Sequence, residues 1–211
     1  MSEVENKDIT TEEKIRAAAL KIFQQKGFAG TKTRDIADEA GINLALLNYY
    51  YRSKEKLFDI IMEESLKQLF SRLLIVLGNP ETSISEKIDT IVNLYIDLLK
   101  KNPNIPLFIL SELQANPEKL WKRLGTPDFS INEVFVIQQI KEQLQKSGME
   151  NIDPFHIIIN VVSMTIFPFA AKPLIKILHK QDDERFEQFI ETRRKMIPIW
   201  IKAMLKIERF R

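Results

Sequence analysis

Residues 31–58 read TKTRDIADEAGINLALLNYYYRSKEKLF, and the fold turns on how many helices this stretch holds. Ile36, Ala37 and Ala40 fall at helical spacing, and Gly41 is the residue that ends a helix. That spacing predicts a short helix over 33–39. Asn43 is a good N-cap, so a second short helix starts there and carries Leu44 through Tyr51. Arg52-Ser53 breaks the pattern, and Ser53, Glu55 and Lys56 open a longer helix. Three consecutive tyrosines cannot share a direction, because each residue turns the helix by about 100°. Leu44, Ala45, Asn48 and Tyr49 lie on one face, with Leu46, Leu47 and Tyr50 on the other and Tyr51 at the end. Leu47 and Tyr51 are expected to close a small core, Tyr50 to bring its hydroxyl out at the rim, and Tyr49 to face outward with Asn48.

Helical periodicity continues in both directions. Before the stretch, Ile15, Ala18, Ala19, Ile22 and Phe23 follow the acidic start TTEEK, predicting a helix from Thr10 to Lys26 that Gly27 stops. After it, the fourth helix runs to about Leu77 and ends at GNPETS, residues 78–83, the strongest turn signal in the chain. Ile84, Ile88, Ile91, Tyr95 and Leu98 mark one face of the next helix, which KNPN ends. Asn116-Pro117, Thr126-Pro127 and Asp153-Pro154 each read as an N-cap followed by proline in the first turn. They place helices over 106–115, 117–124, 128–147 and 154–179, and a last helix covers 182–208. Pro168, Pro173 and Pro198 are expected to kink their helices and to free carbonyls that then need other partners. No run alternates apolar and polar residues between hairpin turns, so the fold class is all-α.

The composition, 45% hydrophobic and 28% charged, is that of an ordinary globular chain. With no cysteine, disulfides and thiolate chemistry are excluded. The opening MSEVENKDIT lacks the build of a signal peptide, and a cytoplasmic protein is expected. Net charge is only +2, but residues 14–56 hold nine basic side chains against four acidic ones, a modest basic patch. His156 and His179 stand far apart with no ligand cluster, so no metal site and no cofactor is expected; His156, on the apolar run FHIIINVVSMTIF, is expected in a core or pocket. Phosphate loops, nucleophile elbows and acid-base spacings are missing, which argues against an enzyme. Asn160, Ser163, Thr165 and Pro168 interrupt the apolar run 155–171, so no membrane span is expected.

Three short helices joined by tight turns make a helix-turn-helix whose second helix can enter a DNA major groove. The quoted stretch resembles the DNA-binding motif of the TetR family of transcriptional regulators, with its threonine-rich entry, IA..AG(I/V), a short recognition helix ending in aromatics, and SKE.L. The resemblance covers roughly residues 10–60. It implies that Thr33 and Lys54 hold phosphates, that Arg34, Leu44, Ala45, Asn48 and Tyr49 approach base edges, and that Tyr50 meets the backbone. Small Ala45 lets the helix come close to the bases. Asn43 replaces the commoner serine or threonine cap, and Asn48 replaces the usual tyrosine.

The expected protein is a homodimeric, ligand-responsive transcriptional regulator, a repressor that binds a palindromic operator in double-stranded DNA. Residues 1–52 form the helix-turn-helix head and 53–211 a helical effector-binding and dimerisation bundle, with the helix over 53–77 as the connecting lever. A mostly apolar pocket for an apolar or amphipathic molecule is expected from Tyr95, Phe108, Trp121, Phe135, His156, Asn160, Ser163 and Phe167. The dimer interface is expected from Phe186, Phe189, Ile197, Trp200, Ile201 and Met204, more apolar surface than one chain can hide. The competing expectation keeps the fold but makes the chain a helical sensor or protein-interaction module that has lost specific DNA binding.

Overall fold

Thr10 opens the first helix with a reciprocal cap: its hydroxyl accepts from the Glu13 amide at 3.2 Å, and its own amide donates to the Glu13 carboxylate at 2.9 Å. This is the geometry that TTEEK implies. The computed structural model describes residues 10–115, 117–123, 135–180 and 182–207. Its first helices are α1 (Thr11–Gly30), α2 (Thr33–Ala40), α3 (Leu44–Tyr50) and α4 (Lys54–Gly78). Gly27 breaks the helical path inside α1 with φ of 69°, a backbone that glycine alone adopts readily. Gly41 ends α2 in the left-handed conformation, as a helix-terminal glycine does. The Asn43 side chain accepts from the Leu46 amide at 2.8 Å and so caps the start of α3.

The chain divides into two compact units, Met1–Glu64 and Ser65–Arg211, and α4 begins in one and ends in the other. In the first unit Ile15, Ala19 and Phe23 of α1, Ile36 of α2, Leu47 and Tyr51 close to α3, and Leu57 of α4 are buried. Phe23 meets Phe58 edge-on at 5.0 Å, and Phe28 lies 4.7 Å from the same ring; both are favoured arrangements of aromatic pairs.

The second unit continues with α5 (Ile84–Lys101), α6 (Ile105–Ala115), α7 (Pro117–Arg123), α8 (Phe135–Lys146), α9 (Pro154–Ala170), α10 (Lys172–Leu178) and α11 (Asp183–Met204). Its centre is made where α5, α8, α9 and α11 pack on one another. Ile88, Val92 and Ile96 of α5 are buried there with Ile140, Val161, Ile190 and Ile197. The ends of α8 and α11 are tied by polar contacts: Ser147 and Gln143 both donate to the Leu205 carbonyl, at 2.8 and 2.9 Å. The predicted start of α8 at 128 lies outside the described residues, as does residue 208 in the expected last helix.

One expected helix is two. The span 154–179 breaks at Ala171 with a bend of 71° between α9 and α10. Pro173 accounts for it, having no N–H for the carbonyl four residues back. Pro168 and Pro198 sit inside continuous helices. No single helix among the described residues is long and apolar enough to cross a membrane, although the bent pair α9–α10 would qualify by composition if straight.

Half of the residues expected at a dimer face on the last helix are buried within the chain itself. Phe186, Ile197 and Ile201 are at most 1% exposed and fill the core of their own chain, because that face of α11 packs on α5 and α9. Phe189, Met204 and Trp200 are less enclosed, Trp200 being 38% exposed. Large apolar side chains are exposed on α6, where Leu107, Leu110 and Leu113 are open, and on α9 and α10. On α9 Phe155, Ile159 and Phe167 are exposed, and Leu174, Ile177 and Leu178 follow on α10. The first three are separated by four residues or a multiple of four, a spacing that aligns them along one helix face.

Candidate nucleic-acid interface and effector cavity

Within the first unit, α3 shows its two faces as its sequence requires. Leu47 is 1% exposed and Tyr51 3%, while Tyr49 is 81% exposed beside exposed Ala45 and Asn48. Tyr50 stands between them at 42%, its ring edge-on to Tyr49 at 5.5 Å. The Tyr51 hydroxyl donates to Glu12 at 3.2 Å, and Arg16 bridges Glu12 at 3.5 Å and Glu64 at 3.1 Å. This network fixes the end of α3 to α1 and α4. Burial, and then the adjacent Glu12 carboxylate, push the Tyr51 phenol up to about 12, since both disfavour a second negative charge.

Two acidic groups of the unit, Asp35 and Glu39, are paired on its surface. Asp35 accepts from the Lys32 amide and pairs with Lys26 at 3.1 Å, which hold its pKa below the usual value, and Glu39 pairs with Lys21 at 2.6 Å. By contrast Lys32, Arg34, Arg52 and Lys56 are exposed, and none forms a close ion pair with a carboxylate among the described residues, although the Lys32 charge helps to lower the Asp35 pKa. Thr33 and Leu44 are half-buried at the first turns of α2 and α3. Sequence reasoning misses the unpaired cations Lys32, Arg52 and Lys56, since only folding reveals which charges the acids neutralise.

Lys54 occupies a more constrained place than a free phosphate ligand. Its ammonium donates to the carbonyls of Phe28 and Thr31, at 2.9 and 3.1 Å, and lies 4.2 Å from the Phe28 ring centre. It therefore holds the end of α1 against the start of α4, with one donor left over.

In the second unit, a cavity of about 100 Å³ lies among α4, α5, α8 and α9. Leu77 of α4, Ile84, Ile88, Ile91 and Tyr95 of α5, and Val136 and Ile140 of α8 form much of its wall, closed by Ile158 and Val162 of α9. The α5 contribution is the stripe legible in the sequence. Among the described residues Tyr95 is the single wall residue with a polar side-chain atom, and its phenol is raised to about 12. Burial is the cause, because it penalises the phenolate.

Of the other expected pocket residues, none lines this cavity. Phe108 is buried in α6, Trp121 packs edge-on against Phe70 at 6.4 Å, and Phe135 lies under the Lys87 ammonium at 4.8 Å. Asn160 donates to Met204 Sδ at 3.6 Å. His156, Ser163 and Phe167 are exposed on the outer side of α9, which corrects the expectation of a core or pocket histidine. All three lie on the side of α9 away from its buried positions Ile157, Val161 and Thr165. An apolar run alone does not say which side faces inward. Among the described residues no group of three or more histidines or carboxylates is placed to hold a metal ion.

The family model of bacterial regulatory proteins, tetR family, matches residues 15–61. Over 203 residues the chain is 25% identical to the "Probable HTH-type transcriptional regulator YttP" of Bacillus subtilis, covering 94% of this chain and 95% of that one. It is 27% identical over 162 residues to the HTH-type transcriptional repressor NicS of Pseudomonas putida, covering 74% of each. Among solved structures, a TetR transcription regulator from Haloarcula marismortui shares the fold with a TM-score of 0.59 at 18% identity, over 92% of this chain and 97% of that one. The all-α class with an N-terminal helix-turn-helix and a helical C-terminal region is the fold that these neighbours share.

Proposed function

We propose that this chain, whose residues 15–61 match the family model of tetR bacterial regulatory proteins, is a cytoplasmic transcriptional repressor that binds a palindromic operator as a homodimer and leaves it when a small apolar or amphipathic molecule binds. The observation that carries this reading is α3 itself, with Leu47 and Tyr51 anchored in the core and Ala45, Asn48 and Tyr49 turned out. A helix so anchored can lie in a major groove and bring Asn48 and Tyr49 to base edges. Arg34 and Leu44 approach the bases beside them. Thr33, Tyr50, Lys54 and the unpaired Lys32, Arg52 and Lys56 position the head on phosphates.

The partner copy sits on the open apolar face of α9 and α10 rather than on the buried side of α11. Phe155, Ile159, Phe167, Leu174 and Ile177 are all exposed there, and a patch of this kind marks an interface. The effector enters the cavity walled by Leu77 and Tyr95. Ordinary ligand sites start at roughly 300 Å³, and this cavity, at about 100 Å³, is smaller. Binding therefore enlarges it, and α4, which lends Leu73 and Leu77 to the wall, acts as the lever. A change in head spacing away from the roughly 34–36 Å between successive major grooves releases DNA.

A gel shift with the DNA upstream of the protein's own gene tests this reading. One discrete complex that survives excess nonspecific DNA is expected. Binding that disappears with competitor would instead favour a sensor without sequence preference.

A further inference from the structure

Lys87 is a lysine where the physics of a helix and of a protein interior both disfavour one. It stands in the first turn of α5, whose amino end already carries partial positive charge. It is 0% exposed, and a buried charge is costly unless it is paired. Its ammonium donates to the Leu77 carbonyl at 3.1 Å and to Gln139 Oε1 at 2.6 Å. Gln139 is itself held in place, its amide nitrogen donating to the Thr82 carbonyl at 2.9 Å. The Phe135 ring lies on a further side, 4.8 Å away, close enough for its face to attract the cation. Every one of these partners is neutral, and no carboxylate among the described residues pairs with Lys87. A fixed, buried cation with no counterion among the described residues is stabilised by an anion that can reach it. Burial alone lowers its pKa, the mark of a charge left uncompensated.

The position of this cation relative to the cavity gives it a use. Leu77, which accepts from Lys87, is part of the cavity wall, and Val136 and Ile140 flank its other anchor on α8. On α5, Lys87 lies about 60° round the helix from Ile84, at the edge of the stripe Ile84, Ile88, Ile91 and Tyr95. From Ile84 to Tyr95 that stripe rises about 16 Å along the helix. Lys87 is not itself a wall residue; it meets the cavity through Leu77, which lines it and also accepts from the ammonium, and the rest of the wall is aliphatic apart from the Tyr95 phenol.

We propose that the effector is an amphipathic monocarboxylate, its head paired with Lys87 Nζ and its tail lying along Ile84, Ile88 and Ile91 toward Tyr95. The proposal rests on the reading of this cavity as the effector site. Pairing draws the ammonium off the Leu77 carbonyl, in the last turn of α4, so that head recognition and release of the lever end are one event. A purely structural lysine, pinning α4 to α5 and α8, would give the same hydrogen bonds but no preference among ligands.

The test compares octanoate with 1-octanol, the same tail without the charge, by calorimetry on the full-length protein and by operator release in a gel shift. Wild type should bind octanoate at least about tenfold more tightly than octanol, the advantage of a charge-assisted bond. Lys87→Met should abolish the preference while retaining octanol binding. Because that variant also loses the link to α4, a reading on wild type stands beside it: the carboxyl ¹³C signal of bound labelled octanoate should stay ionised to lower pH than that of free octanoate. Equal affinity for the two ligands in wild type, or a preference that survives in Lys87→Met, overturns the role of Lys87 and leaves the cavity reading intact. If neither ligand binds and operator is still held, the cavity reading falls and this proposal with it.

Discussion

Arg193 Nη2 donates to the carbonyl of Met164 at 2.9 Å. Met164 is four residues before Pro168, whose missing N–H leaves that carbonyl without its helical partner. The guanidinium is held over Phe189 and Trp200, at 5.8 and 5.4 Å from their ring centres. A proline inside α9 is thus tolerated because a cation on α11 supplies the donor that it lacks.

A double-mutant cycle checks this pairing. Arg193→Ala should lower stability by about 1–3 kcal/mol, from a carbonyl left without a donor and lost packing. In a Pro168→Ala background, where the backbone N–H returns, the same substitution should cost about 1 kcal/mol less. Equal costs in both backgrounds, measured by urea unfolding, would show that Arg193 acts through its aromatic contacts alone.

On the outward face of α3 the Tyr49 ring is 81% exposed. Tyr49→Ala should therefore change stability by less than about 0.5 kcal/mol. Operator affinity should nevertheless fall by about 1–3 kcal/mol, and Asn48→Ala should change which base is preferred. A panel of single-base operator variants separates the two effects.

Lys54→Ala should behave differently on both counts. It should weaken all DNA sequences alike and reduce the salt slope by about one. The carbonyls of Phe28 and Thr31 also lose their donor. That loss should lower the stability of the head by about 1–3 kcal/mol. A melting temperature equal to that of wild type would contradict the second effect.

Alkaline pH should unfold the protein through its buried phenols. Tyr51 and Tyr95 each have a pKa raised from 10.0 to about 12, so the folded state holds protons that the unfolded state releases. Stability is then fully present below about 10 and falls as pH rises toward about 12. Tyr51→Phe and Tyr95→Phe should each flatten that fall, as read from chemical denaturation across the range.

For the dimer, Phe167→Glu on the open face of α9 should shift the protein toward monomer in sedimentation while the isolated chain keeps its fold. Phe186 is 1% exposed in the core, so Phe186→Glu should in contrast unfold the chain by burying an unpaired charge. Val162→Phe, which points bulk into the cavity wall, should keep operator binding and lose release by octanoate.

The sequence by itself determined the helices of the head and the face each presents. Caps, glycines and 3.6-residue spacing act locally, so the start near Thr10, Gly41, Asn43 and the division between Leu47 and Tyr49 were all legible. The stripe Ile84, Ile88, Ile91 and Tyr95 was legible for the same reason. Tertiary structure decided what depends on distant partners. Nothing near Phe186 or Ile201 in the chain says that they pack on α5 and α9 rather than on another molecule, and nothing near His156 says that its side of an apolar helix is the open one. The same holds for Lys87 and Lys54. A lysine in a first turn reads as solvated until Leu77 and Gln139, or Phe28 and Thr31, are brought to it by folding, because burial of a charge is a property of the packed neighbours and not of local sequence.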